Sequence, residues 1–191
     1  MKTNIFLAAL PTYDNRLTLT QKISLCEAKR SPLVRVQWTH TNDLHITIGY
    51  IPAVQVADLR TIAVGMSNVS QASPFMANIE EIKLYGTAIV LRLEPYQQLL
   101  TIHKKMNLKL MEVTQSQYQF QVKGRFDPHL TIGRLRNINA LNPLHKHQFL
   151  NMITEQFKGY SFLIQQAALL RRAPEHSTPA YQSIQLYPLR G

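Results

Sequence analysis

The chain has 191 residues, 45% of them hydrophobic, which suits an ordinary packed core and excludes a disordered chain. Its 21 Lys and Arg against 11 Asp and Glu leave a net charge of +10, a surplus that attracts polyanions but does not say what is done to them. No apolar run approaches the roughly 20 residues of a membrane span, and a single cysteine, Cys26, excludes an internal disulfide and a Cys-rich zinc site.

The first predicted element is a strand at residues 3–9, closed by Leu10-Pro11. Its apolar run is shorter than the ~7–15 residues of a signal-peptide core, so a cytoplasmic location is expected. Leu17, Leu19, Ile23, Leu25 and Cys26 suit a helix over 15–29, with Cys26 a small core residue. Ser31-Pro32 breaks it. A short strand follows at 33–38, a turn at Thr41-Asn42-Asp43, and an alternating β-branched strand at 44–51. Val56, Leu59, Ile62, Ala63 and Met66 predict a second helix over 53–69. Residues 75–84 and 88–93 read as a strand pair bent at Tyr85-Gly86-Thr87. Glu94-Pro95 opens a third helix carrying Leu99, Leu100, Ile102, His103, Met106 and Leu110. Then come a strand at 118–122, a turn at Lys123-Gly124-Arg125, a strand at 129–135, a polar connection at 137–142, a helix at 145–157, and strands at 160–170 and 180–189. This order predicts an α+β fold of two related lobes in a single domain, 1–191.

One phrase occurs twice. Residues 45–50 read HITIGY and residues 129–134 read HLTIGR. Alternation along a strand puts His45 and Thr47 on one face, and likewise His129 and Thr131. Packed about a two-fold axis, the strands present two imidazoles and two hydroxyls to one cleft. Imidazole titrates near neutrality, so one ring can act as base and the other as acid. Threonine hydroxyls donate to phosphate oxygens, where charge develops. A single His-x-Thr is most simply structural. Two copies sharing Thr, Ile and Gly at matching offsets argue for a common site.

With these motifs the chain resembles the two-histidine (2H) phosphoesterases, and within them the RNA 2′,3′-cyclic phosphodiesterases, also called 2′-5′ RNA ligases. IFLAALP at 5–11, VQWTHTNDLHITIGYI at 36–51, RFDPHLTIGRLR at 125–136 and YPL at 187–189 carry the resemblance, which runs from residue 5 to 189. It implies a bilobal fold, two pseudo-symmetric lobes of antiparallel sheet with outer helices around a central cleft. It also implies opening of a terminal 2′,3′-cyclic phosphate to a 2′-phosphate, without metal or cofactor. With a 5′-hydroxyl as the partner group, the reversible reaction is an ATP-independent 2′-5′ ligation. Carried over, His45 is the acid that protonates O3′ and His129 the base that activates water. The pseudo-symmetry leaves the opposite assignment open. Thr47 and Thr131 hold the phosphate. Arg134 matches a family arginine, but ideal strand parity turns it away from His129 unless a twist, a bulge or the strand end brings it round, and a solvent-facing residue is the alternative. The implied partner is RNA with a 2′,3′-cyclic phosphate end, or a cyclic nucleotide; no membrane partner is expected, and the sequence leaves the oligomeric state open, with a monomer favoured. A nucleotide- or RNA-binding module of the same fold without turnover is the alternative.

Gly49 and Gly133 depart from the family, which often has larger residues there, and Arg171-Arg172 stand where smaller residues are expected. Phe6 and Tyr50 are candidates for stacking on a base, with core packing the alternative for each and for Trp38. Arg125, Arg136, Arg171 and Arg172 are candidates for an RNA groove, each more simply a surface residue. His145 and His147 form HKH without a nearby Cys or acidic partner, which argues against a metal site. His40, His103 and His176 belong to no motif.

Overall fold

The computed structural model describes residues 1–121 and 125–191. Among the described residues, eight strands form one antiparallel sheet: β1 (Lys2–Pro11), β2 (Val36–Trp38), β3 (Ile46–Gln55), β4 (Phe75–Tyr85), β5 (Ala88–Glu94), β6 (His129–Leu135), β7 (Ser161–Arg172) and β8 (Tyr181–Pro188). Four α-helices accompany them in the same residues: α1 (Tyr13–Lys29), α2 (Leu59–Met66), α3 (Tyr96–Val113) and α4 (Pro143–Phe157).

Strand pairing runs β1-β3-β6-β5-β4-β7 and returns to β1 through a β1–β7 ladder, so six strands close on themselves. β8 extends the sheet beyond β7 and β2 lies against β6. The order β1-α1-β3-α2-β4 repeats as β5-α3-β6-α4-β7. The last strand of each half pairs with the first strand of the other: β4 with β5, and β7 with β1. Each lobe, β3-β1-β7 and β6-β5-β4, thus contains a strand from the opposite half. The helices pair the same way, α1 with α4 and α2 with α3.

β1 is apolar on both faces, as a strand buried on both sides must be. Ile5, Leu7 and Ala9 join the main core, together with Ile46, Ile48, Leu130 and Ile132. Phe6, Ala8 and Leu10 point the other way and join Ala168 and Leu170 in a small cluster on the cleft side. In α1 the buried stripe is Leu19, Ile23 and Cys26, while Leu17 and Leu25 are exposed. Burial pushes the Cys26 thiol up to about 11, which keeps it an inert core residue.

Several predicted boundaries shift. The second helix starts at Leu59 and not at 53, because β3 continues to Gln55. Its tail pairs with β1 at Val54 and Gln55, and the Ala53 N–H donates to Asn4 Oδ1 at 3.0 Å. The strand predicted at 33–38 shortens to 36–38, and 41–43 forms a 3₁₀ turn. Of the strand predicted at 118–122, Gln121 bridges to Tyr50; Val122, and Lys123-Gly124 of the predicted turn, lie outside the described residues. No helix among the described residues is long and apolar enough to cross a membrane.

Candidate active site

β3 and β6 meet antiparallel at one pair, Ile46 opposite Leu130. Both side chains are fully buried in the helix-side core. Antiparallel register therefore sets His45 opposite Thr131 and Thr47 opposite His129, all on the other face. Directly opposed Cβ atoms in a sheet are about 4.5–5.5 Å apart. The pseudo-two-fold axis passes between Ile46 and Leu130, with the four predicted residues around it. All four are partly exposed.

Each imidazole is held the same way. Nδ1 of His45 donates to the main-chain carbonyl of Asp43 at 2.7 Å, and Nδ1 of His129 donates to that of Asp127 at 2.7 Å. A carbonyl only accepts, so the proton sits on Nδ1 and Nε2 is left for chemistry. The repeat is thus longer than its His-x-Thr centre. Asp-x-His-x-Thr-Ile-Gly stands at 43–49 and again at 127–133. Those aspartates were the signal in the sequence for the parts of the site that motif reading missed.

The carboxylates behind the two rings also act alike. Asp43 accepts from the N–H of Ala180 at 2.9 Å and of Tyr181 at 3.2 Å. This pins Tyr181, whose ring stands edge-on to His45 with centroids 5.1 Å apart. Asp127 accepts from the Tyr85 hydroxyl and from Arg92 Nε at 3.2 Å, and the Tyr85 ring stands edge-on to His129 at 5.3 Å. Burial, then the Asp127 hydrogen bond, pushes the Tyr85 phenol up to about 12, so it remains a donor. Burial holds His45 below the ordinary imidazole range. The Asp43 carbonyl and charge oppose that shift, and the nearby His129 adds to it.

Both strands carry a β-bulge just past the threonine. Thr47 pairs with Ala8 and Gly49 with Leu7; Thr131 pairs with Val90 and Gly133 with Ile89. The extra residue inverts parity, so Tyr50 and Arg134 share the face of the histidines. Arg134 therefore reaches the cleft face by the bulge that strand parity requires. It is exposed and makes no ion pair among the described residues. Phe6 pairs with Tyr50, but its ring stacks on His45 at 5.2 Å and is only 8% exposed. It backs the imidazole and offers a ligand little more than an edge. Tyr50 and Tyr181 are the more open aromatic rings.

Close packing accounts for the bulge glycines. A Cβ on Gly49 would run into the Phe120 ring, and one on Gly133 would lie 2.9 Å from the Trp38 ring. Trp38 therefore packs on the helix side, with Nε1 donating to Glu27 at 2.7 Å, and does not line the cleft. His103 is buried beneath the first bulge and donates from Nδ1 to the Ile48 carbonyl at 2.6 Å. Arg125 lies over the Tyr96 ring and lines a pocket with Tyr85, Arg92 and Asp127, while Arg136 bonds Gln37. His145 and His147 are on α4, and no cluster of three metal-ligating side chains exists among the described residues.

No protein-family model and no curated protein matches the chain. Solved structures do. E. coli LigT in complex with 3′-AMP matches with a TM-score of 0.71 at 15% identity, over 100% of both chains. A crystal structure described as a phosphoesterase gives 0.71 at 14% identity, again over 100% of both. TT0787 of Thermus thermophilus gives 0.69 at 15% identity, over 100% of this chain and 99% of that one. LigT has also been solved with phosphate, ATP and NADP+. At these identities the likeness establishes a common fold over the full length.

Proposed function

We propose that this chain, whose fold is that of two-histidine phosphoesterases such as LigT, is an RNA 2′,3′-cyclic phosphodiesterase. One observation carries the reading: the Ile46–Leu130 register sets two His–Thr pairs on one face about a two-fold axis. Such a set fits one tetrahedral phosphate held between two proton-transfer groups. The threonine hydroxyls and Arg134 hold the non-bridging oxygens. His129 Nε2 takes a proton from water as its oxygen bonds to phosphorus. The P–O3′ bond breaks, and His45 Nε2 gives its proton to O3′, leaving a 2′-phosphate. Exchange with solvent resets both rings.

Burial favours neutral His45 until substrate binds. The negative charge of the cyclic phosphate favours the protonated ring, so the acid gains its proton together with the substrate. If a 5′-hydroxyl takes the place of water, the same displacement is a ligation that needs no ATP.

The test is conversion of adenosine 2′,3′-cyclic phosphate to adenosine 2′-monophosphate in EDTA. His45→Ala and His129→Ala should each lose at least about 100-fold in kcat with folding unchanged. Binding without product would assign the chain to the non-catalytic alternative. A 3′-phosphate product would exchange the two leaving oxygens.

A further inference from the structure

The two walls of the cleft differ in chemistry. The β3-β1-β7 wall is apolar and aromatic, built from Phe6, Ala8, Tyr50, Leu170 and Tyr181. On the β6-β5-β4 wall, Arg92 is opposite His129 in register and is occupied by Asp127 at 3.2 Å, Glu81 at 3.1 Å and Glu80 at 3.7 Å. A cation, Arg172, lies towards the end of the apolar wall. It stands directly opposite Tyr181 in the β7–β8 ladder, two residues beyond Leu170, which pairs with Phe6. Residues i and i+2 share a face, so Arg172 lies on the cleft side. Its neighbour Arg171 has the opposite parity and bonds Gln182 at 3.1 Å. Arg172 is exposed and has no carboxylate within ion-pairing distance among the described residues.

The cleft face therefore carries two guanidiniums uncommitted among the described residues. Arg134 adjoins Thr131, and Arg172 adjoins the aromatic group that backs His45. Guanidinium is suited to phosphate, and two of them on opposite walls suit two phosphates. This step rests on the proposed function, in which the reacting phosphate lies between the histidines; Tyr50 and Tyr181, the more open aromatic rings, then offer its nucleoside a stacking surface. The one other anionic group on such a nucleoside is a phosphate on its 5′ oxygen. We propose that Arg172 binds that phosphate. Arg172 then makes a 2′,3′-cyclic phosphate whose nucleoside also bears a 5′-phosphoryl group a better ligand than a free nucleoside cyclic phosphate.

Calorimetry on the whole protein tests this without turnover, using three product-like probes. These are adenosine 2′-monophosphate, adenosine 2′,5′-bisphosphate and the dinucleotide ApA with a terminal 2′-phosphate. The wild type should bind the second and third about tenfold more tightly than the first. Arg172→Ala should remove that advantage and leave the first probe unchanged, and Arg172→Lys should restore part of it. A gain limited to the dinucleotide identifies the diester of an RNA chain as the source. A gain limited to the bisphosphate identifies a terminal monoester. Equal binding of all three by the wild type, binding of none, or an equal loss for all three in Arg172→Ala would overturn the assignment. Because binding is read directly, absence of hydrolysis would refute the proposed reaction and leave this result standing.

Discussion

At the scale of single residues, the two histidines are oriented by main-chain carbonyls, with the aspartate carboxylates one step further back. Asp127 is gripped by a phenol and a guanidinium, so its main chain, and with it the His129 ring, is fixed by side chains outside the two His–Thr pairs. Asp127→Asn keeps the carbonyl but weakens both grips. Partners behind a working imidazole typically matter by about 10- to 100-fold. The expected result is a fall of about tenfold in kcat with little change in KM, measured on the cyclic nucleotide. His45 gives a second prediction. Its folded-state pKa is lowered by burial, whereas the unfolded ring protonates near ~6.5. The neutral ring thus contributes its full share of stability above about pH 6.5 and loses it as pH falls towards the lowered folded value. Urea denaturation at pH 7.5 and 5.5 should show this loss, and His45→Asn should reduce it.

At the scale of elements, the bulges decide which side chains share the cleft face with the histidines. Gly49→Ala puts a methyl into the Phe120 ring, which is itself backed by His103. Overpacking of this kind costs about 1–3 kcal/mol. Denaturation midpoints should show it, and Phe120→Leu should recover part of the loss in the double variant. The bulges also mark where sequence reading stops. Strand alternation is legible in letters, so His45 with Thr47 and His129 with Thr131 follow directly. A bulge is set by the partner strand's register, which no local pattern contains, so the face of Arg134 needed the structure. Trp38 and Phe6 show the same limit: both are aromatic beside a motif strand, yet one packs against a bulge glycine and the other against the histidine. Residues 53–55 have an apolar spacing that suits a helix, but the backbone pairing with β1 outweighs it.

At the scale of the whole molecule, the halves trade their final strands. A fragment of residues 1–85 lacks the β5 and β7 partners of β4, and one of residues 88–191 lacks the β1 and β4 partners of β7. Neither should fold alone. Mixed together they should recover native circular dichroism and one cooperative unfolding transition, whereas an independently folded half would contradict the strand exchange. The exchange has a further meaning. Two copies of a half-length chain, swapping their last strands across an isologous contact, would make the same closed ring, with one cleft shared by the pair. In such an ancestor every residue of the cleft appears twice, and any change to one wall is a change to both. Joining the copies end to end at the β4–β5 turn frees each wall to accept its own substitutions. Tyr50 and Arg134, which hold equivalent positions across the axis, fit that freedom: one wall turned to stacking, the other to charge, around histidines that stayed alike.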